Sequence, residues 1–154
     1  MFRFYRYILS KSAYEIIFLF FILHEIYGYA VYALIEYLGY AQSLESYKFK
    51  SFGDALFICV LIAPMLETLI AQKIPYLLLR KFTGKLCVIY FLSSILFALG
   101  HTYSFIYVLV TFFSGLLYIV LYSVLLKKDT KKAFWGVFSI HAFNNLIAVF
   151  HEWF

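Results

Sequence analysis

Four side chains able to do acid–base or oxyanion chemistry fall inside apolar stretches of this sequence. Glu67 follows Ala63-Pro64-Met65-Leu66, and His101 closes Phe97-Ala98-Leu99-Gly100-His101. His141 and Asn145 belong to Ile140-His141-Ala142-Phe143-Asn144-Asn145. On an α-helix, residues four apart share one face, so His141 and Asn145 can address one ligand. A carboxylate can take a proton from water, and an imidazole can hold that water. A second imidazole and a carboxamide can donate hydrogen bonds to a developing oxyanion. Glu67, His101 and His141 are also a ligand set that zinc accepts, with a position left open for water. Residue types alone do not choose between the two mechanisms. Singly, each residue has a plainer reading: a packed histidine, an asparagine bridging helices, a hydrogen-bonded carboxyl. Four of them on three apolar segments, two sharing a face, point instead to one hydrolytic site.

The elements that must position these groups are membrane helices. The chain has 154 residues, 65% of them hydrophobic and only 14% charged. A soluble domain of that size has no interior large enough for so much apolar surface. The apolar residues come in long runs, as transmembrane helices require. Polar and ionisable groups inside such runs are costly and usually carry function. The net charge of +5 is no nucleic-acid footprint, because the basic residues lie between the apolar runs, against lipid headgroups. Cys59 and Cys87 have no metal-ligand spacing and read as free, buried thiols.

Five segments are expected, at about 13–39, 52–72 with a continuation to Arg80, 86–101, 105–126 and 133–150. Pro75 should kink the continuation of the second. The first is too long for the apolar core of a signal peptide and reads as a retained helix. It carries Glu15, His24, Glu25 and Glu36. Three of these, Glu15, Glu25 and Glu36, share one side at 100° per residue, which suggests an acidic face and admits a proton-relay or carrier role. Thr111, Ser114 and Gly115 give the fourth segment a close-packing face. Arg3, Arg6 and Lys11, the 73–85 link and the 127–132 link place eleven Lys and Arg on one side, against Lys48 and Lys50 on the other. The positive-inside rule then puts the N-terminus inside. The fold class is therefore an all-α, polytopic transmembrane bundle, with residues 1–54 as tail, first helix and loop and 55–154 as the core.

The motifs of that core resemble the CPBP family of intramembrane proteases, which includes CAAX proteases and bacteriocin-processing or immunity proteins. That family carries Glu-Glu-x-x-x-Arg, then Phe-x-x-x-His, then His-x-x-x-Asn on successive membrane helices. Here they correspond to Glu67 to Gln72, Phe97 to His101 and His141 to Asn145. The resemblance implies that Glu67 and His101 activate water while His141 and Asn145 hold the oxyanion. It also implies membrane lipid and a membrane-reached peptide or protein as partners, with zinc as the conceivable cofactor. The first motif departs from the family: Thr68 replaces its second Glu and Gln72 its Arg.

The expected function is thus an integral-membrane endopeptidase, in a multi-pass protein of a bacterial inner membrane. The alternative is a non-catalytic member acting by binding, such as a bacteriocin self-immunity protein. One geometric conflict attends the site. At 1.5 Å per residue, His141 lies about 12 Å into its segment and His101 about 22 Å into its own. The two imidazoles would then differ by about 10 Å in depth, unless tilt, a shifted helix start or a turn within the membrane closes the gap.

Overall fold

A computed structural model describes residues 7–44 and 48–154. Arg3 and Arg6 of the basic tail and Glu45 of the first loop lie outside the described residues. Five longer helices organise the described residues: α1 (Ala13–Tyr37), α2 (Phe52–Phe82), α3 (Leu86–Leu99), α4 (Phe105–Leu125) and α5 (Thr130–Trp153). A short 3₁₀ turn, Ala41–Leu44, follows α1, and the described residues contain no strand. The fold is an all-α polytopic bundle. Four helices, α1, α2, α4 and α5, are long and apolar enough to cross a membrane. With 14 residues, α3 falls short: it extends about 21 Å, less than the roughly 30 Å of a hydrocarbon core. The five expected segments are thus four helices of spanning length and one shorter one.

Polar residues at the helix starts fix the boundaries. The Ser12 hydroxyl accepts from the Glu15 backbone N–H at 3.2 Å, and Glu15 Oε2 accepts from the Ser12 N–H at 2.7 Å, a complete capping box. The Ser51, Ser104 and Asp129 side chains cap α2, α4 and α5 by accepting backbone N–H groups of the first turn. The Lys131 and Lys132 backbone N–H groups hold the Asp129 carboxyl below the usual carboxylate range. These caps revise the acidic face predicted for α1. Glu15 is an exposed cap residue paired with Lys11 at 3.4 Å, and Glu36 is exposed in the last turn. Of the three, Glu25 alone is partly buried.

Helix α2 widens ahead of each of its prolines. Leu56–Ile62 and Thr68–Lys73 are π-helical, and each ends one residue before the two-residue lead Ala63-Pro64 or Ile74-Pro75 continues as α-helix. Proline lacks an N–H and its ring crowds the preceding turn. An i→i+5 turn relieves that crowding. The Ala63 N–H accordingly bonds the Ile58 carbonyl, five residues back, and the Ile74 N–H bonds that of Leu69.

The core gathers where α1, α4 and α5 meet, around the fully buried Ile16, Ile119, Leu121, Leu125 and Val137. Gly136 permits this approach: a Cβ there would stand 2.6 Å from Leu125 Cδ1 and 3.0 Å from Ile17 Cδ1. Gly115 plays the same part between α4 and α3, with Phe97 Cβ only 3.0 Å from the Cβ it lacks, in line with the predicted close-packing face. The outer faces are apolar, with Phe18, Ile26, Phe57, Phe113 and Trp135 more than half exposed or nearly so. Such continuous exposed apolar surface suits lipid, not water. Both cysteines are free; Cys59 is half-buried, while Cys87 is exposed on α3, contrary to the buried position expected.

Candidate active site

Glu67 closes the short α-helical stretch between the two π-helical turns of α2. Its Oε2 lies 3.7 Å from His101 Nε2 and 3.5 Å from His141 Nε2. These separations exceed a good hydrogen bond, and Oε2 is buried with no hydrogen-bond partner. Glu67 and His101 both line a cavity, while Oε2 itself is enclosed. The predicted depth gap therefore closes. Helix α5 starts at Thr130, three residues before the expected position, and α3 ends as a short helix just before His101. The difference in depth shrinks to about 6 Å, which helix tilt and two imidazole side chains span.

His101 lies in the tight link between α3 and α4. Its Nδ1–H donates to the Phe97 carbonyl at 2.9 Å, since a carbonyl only accepts. The other ring nitrogen, Nε2, then presents a lone pair toward Glu67. Tyr107 stacks on the His101 ring, with centroids 6.1 Å apart and planes 13° apart. The Phe of the motif Phe97-x-x-x-His101 is buried against both histidines, at 4.8 Å from the His101 ring and 5.5 Å from that of His141.

The Asn145 carboxamide is placed by α2's irregularity. In the π-helical register the Cys59 carbonyl would pair with the nitrogen of residue 64, which is proline and has no hydrogen. Asn145 Nδ2 donates to that carbonyl instead, at 2.7 Å. Pro64 thus creates the acceptor that pins Asn145, and the second Nδ2 hydrogen remains for the site. Glu67, His101 and Asn145 line a cavity of about 210 Å³, together with Cys59, Tyr103 and Tyr107. His141 is set behind Glu67 and is 5% exposed, against 29% for Glu67 and 16% for His101.

All four predicted site residues thus converge. Among the described residues, no group of three or more His, Cys, Asp or Glu side chains is arranged to hold a metal ion. Thr68 and Gln72, the departures in the first motif, are fully buried, and their Oγ1, Oε1 and Nε2 atoms have no hydrogen-bond partner. Each such group costs about 1–3 kcal/mol.

Three residues at the site carried no role in the sequence reading. Tyr118 is wholly buried and stacks on His141, with centroids 4.9 Å apart and planes 29° apart. His24 stacks on the opposite face of Tyr118 at 4.9 Å and 8°. Asn144 Nδ2 donates to His24 Nδ1 at 2.8 Å and to Tyr118 Oη at 3.0 Å. The available signals were a mid-span histidine in α1 and a second asparagine beside Asn145.

A protein-family model described as type II CAAX prenyl endopeptidase Rce1-like matches residues 50–147, more than half of the chain. The chain belongs to that family. The match includes all four converging residues and leaves α1 outside it. Membership makes this a membrane protein of a peptidase family and accords with the CAAX-protease resemblance of its motifs. No curated protein and no solved structure matches the chain.

Proposed function

We propose that the protein is an endopeptidase that hydrolyses a peptide bond within or near the membrane, using Glu67, His101, His141 and Asn145. The observation that carries this reading is the approach of two imidazole Nε2 atoms to 3.5 Å and 3.7 Å from one unpaired carboxylate oxygen beside a cavity. Glu67 Oε2 and His101 Nε2 are both acceptors in this arrangement. A water donating one hydrogen to each turns its lone pairs outward, toward a scissile carbonyl. The water oxygen bonds to the carbonyl carbon as Glu67 takes the proton. Asn145 donates its free N–H to the resulting oxyanion. His141, whose Nε2 faces Glu67, becomes the second donor once that carboxylate is protonated and no longer competes for its hydrogen. The oxyanion then collapses, the C–N bond breaks, and Glu67 passes its proton to the leaving amine. General-base and oxyanion contributions of this kind are worth about 10²–10⁴-fold and 10²–10³-fold respectively.

Two histidines and a carboxylate are donors that zinc accepts, and Glu67, His101 and His141 are the residues that would hold it; the steps above use the side chains alone. The family description names the first substrate to try, a quenched farnesylated CAAX peptide presented to the protein in liposomes. The parent should cleave it, the Glu67→Ala protein should not, and a zinc chelator should leave the rate unchanged. Cleavage by Glu67→Ala at the parental rate would sink the proposal; inhibition by chelator with recovery on adding zinc would bring a metal into the site. The eleven-to-two division of basic residues supports an N-inside, multi-pass arrangement.

A second reading is favoured by one observation. Thr68 and Gln72 stand buried and unpaired where the family carries a Glu and an Arg. A non-catalytic protein acting by binding, as in self-immunity to a bacteriocin, would tolerate that loss. Such a protein would protect cells equally well with Glu67→Ala.

A further inference from the structure

Three residues outside the quartet hold the ring of His141. Its imidazole lies against Tyr118, ring centroids 4.9 Å apart, with Phe97 edge-on at 5.5 Å. Turning the imidazole would pry it off the tyrosine face. Tyr118 cannot slide away, because His24 covers its other face almost in parallel, and Asn144 holds its hydroxyl at 3.0 Å. The same Asn144 amide donates its second hydrogen to His24 Nδ1 at 2.8 Å. One planar NH₂ group thus locks two rings at once. His24 belongs to α1, which the family match does not include. Helix α1 is also tied to α4 by the Tyr27 hydroxyl, which donates to the Val110 carbonyl at 2.8 Å.

We infer that His24, Tyr118 and Asn144 are positioning residues for His141, so that α1 is a working part of the hydrolytic site and not merely its membrane anchor. The inference rests on the proposed function for its kinetic consequence but not for its structural one. Adjacent asparagines divide the labour on α5. Asn145 faces the cavity and α2, while Asn144 faces α1 and α4 and braces the histidine one turn back. The His24–Tyr118–His141 stack fixes the direction in which His141 Nε2 points, toward Glu67. Misplacing a reacting group by about 1 Å can cost about 100-fold in rate.

Two readouts separate the claims. The first is kinetic, on the liposome-bound protein with the farnesylated peptide. His24→Ala should lower kcat about 10-fold and Tyr118→Leu about 100-fold, with KM within about 2-fold of the parent. Tyr118→Phe keeps both stacks and loses only the hydroxyl, so it should fall less than Tyr118→Leu. A merely structural role would not produce that ranking at constant KM. The second readout needs no turnover. The chain has four histidines, few enough for ring NMR signals to be assigned by single substitution. In the Glu67→Ala background, His141 ring protons should show the upfield shift of a stacked ring. They should lose it in Tyr118→Leu and broaden in His24→Ala. If the parent cleaves nothing, the functional reading fails and the NMR arm alone decides. His141 signals unchanged by His24→Ala and Tyr118→Leu would overturn the inference. So would a rise in KM at constant kcat.

Discussion

Helix α2 changes hydrogen-bond pitch four times between Phe52 and Phe82, whereas α4 runs from Phe105 to Leu125 without a break. Both are long and apolar, yet they treat polarity in opposite ways. Two hydroxyls of α4 bond within their own helix: Thr111 donates to the Tyr107 carbonyl at 2.8 Å and Ser123 to that of Val120 at 2.8 Å. In α2, Glu67 Oε2, Thr68 Oγ1 and both Gln72 amide atoms have no hydrogen-bond partner, and the Cys59 carbonyl accepts from Asn145 of α5. A regular helix gives a rigid wall; the interrupted one carries buried, unpaired polar atoms beside the cavity that Glu67 lines. Unsatisfied polarity in lipid is tolerated where it lines a cavity, and that is where α2 carries Glu67.

The comparison can be broken at several points. Removing the carboxamide with Asn145→Ala takes away the proposed oxyanion donor and the side chain that bonds the Cys59 carbonyl. Peptidase kcat should fall about 10²–10³-fold; a change under about 3-fold would detach Asn145 from the chemistry. Next in size is Gly115→Ala on the regular helix. The new methyl would meet Phe97 at 3.0–3.2 Å, and such overpacking costs about 1–3 kcal/mol. Because Phe97 touches both His101 and His141, thermal stability and kcat should drop together. Pro64→Ala should separate them. It restores an N–H that can compete with Asn145 for the carbonyls of the preceding turn, so activity should fall about 10-fold while thermal stability holds or rises. Equal losses of both would contradict the role given to the π-helical turn.

The smallest effect belongs to a helix end. The Asp129 carboxyl is held below its usual range by the Lys131 and Lys132 N–H groups. Its folded value is therefore lower than its unfolded one. The cap's stabilisation is present above the unfolded value and lost as pH falls through the folded one. Asp129→Ala should lower the melting temperature slightly at neutral pH, and the difference should vanish in strong acid.

Much of the site was legible because its chemistry is written in residue types that lipid makes expensive. Glu67, His101, His141 and Asn145 stand out against apolar runs, and the i,i+4 pair fixes one face without any tertiary knowledge. The capping box Ser12-x-x-Glu15 was also readable, and it removes Glu15 from the acidic face assigned to α1. The widened turns of α2 were not readable as such. A proline announces a lost N–H, but whether the helix kinks or widens depends on who takes the freed carbonyl. Here that is Asn145, 86 residues away. The bracing of His141 was hidden for the same reason: His24 and Asn144 meet only because Gly136 lets α1 and α5 close. The depth conflict arose from helix ends, since three residues at the start of α5 shift His141 by about 4.5 Å.

The most direct test of the account compares peptides in cells expressing the parent, Glu67→Ala, His101→Ala or His141→Ala proteins at equal membrane levels. Mass spectrometry of membrane and secreted fractions should show a cleavage product present with the parent and absent from all three variants. A peptide profile identical across the four strains would contradict the claim that these residues hydrolyse a peptide bond.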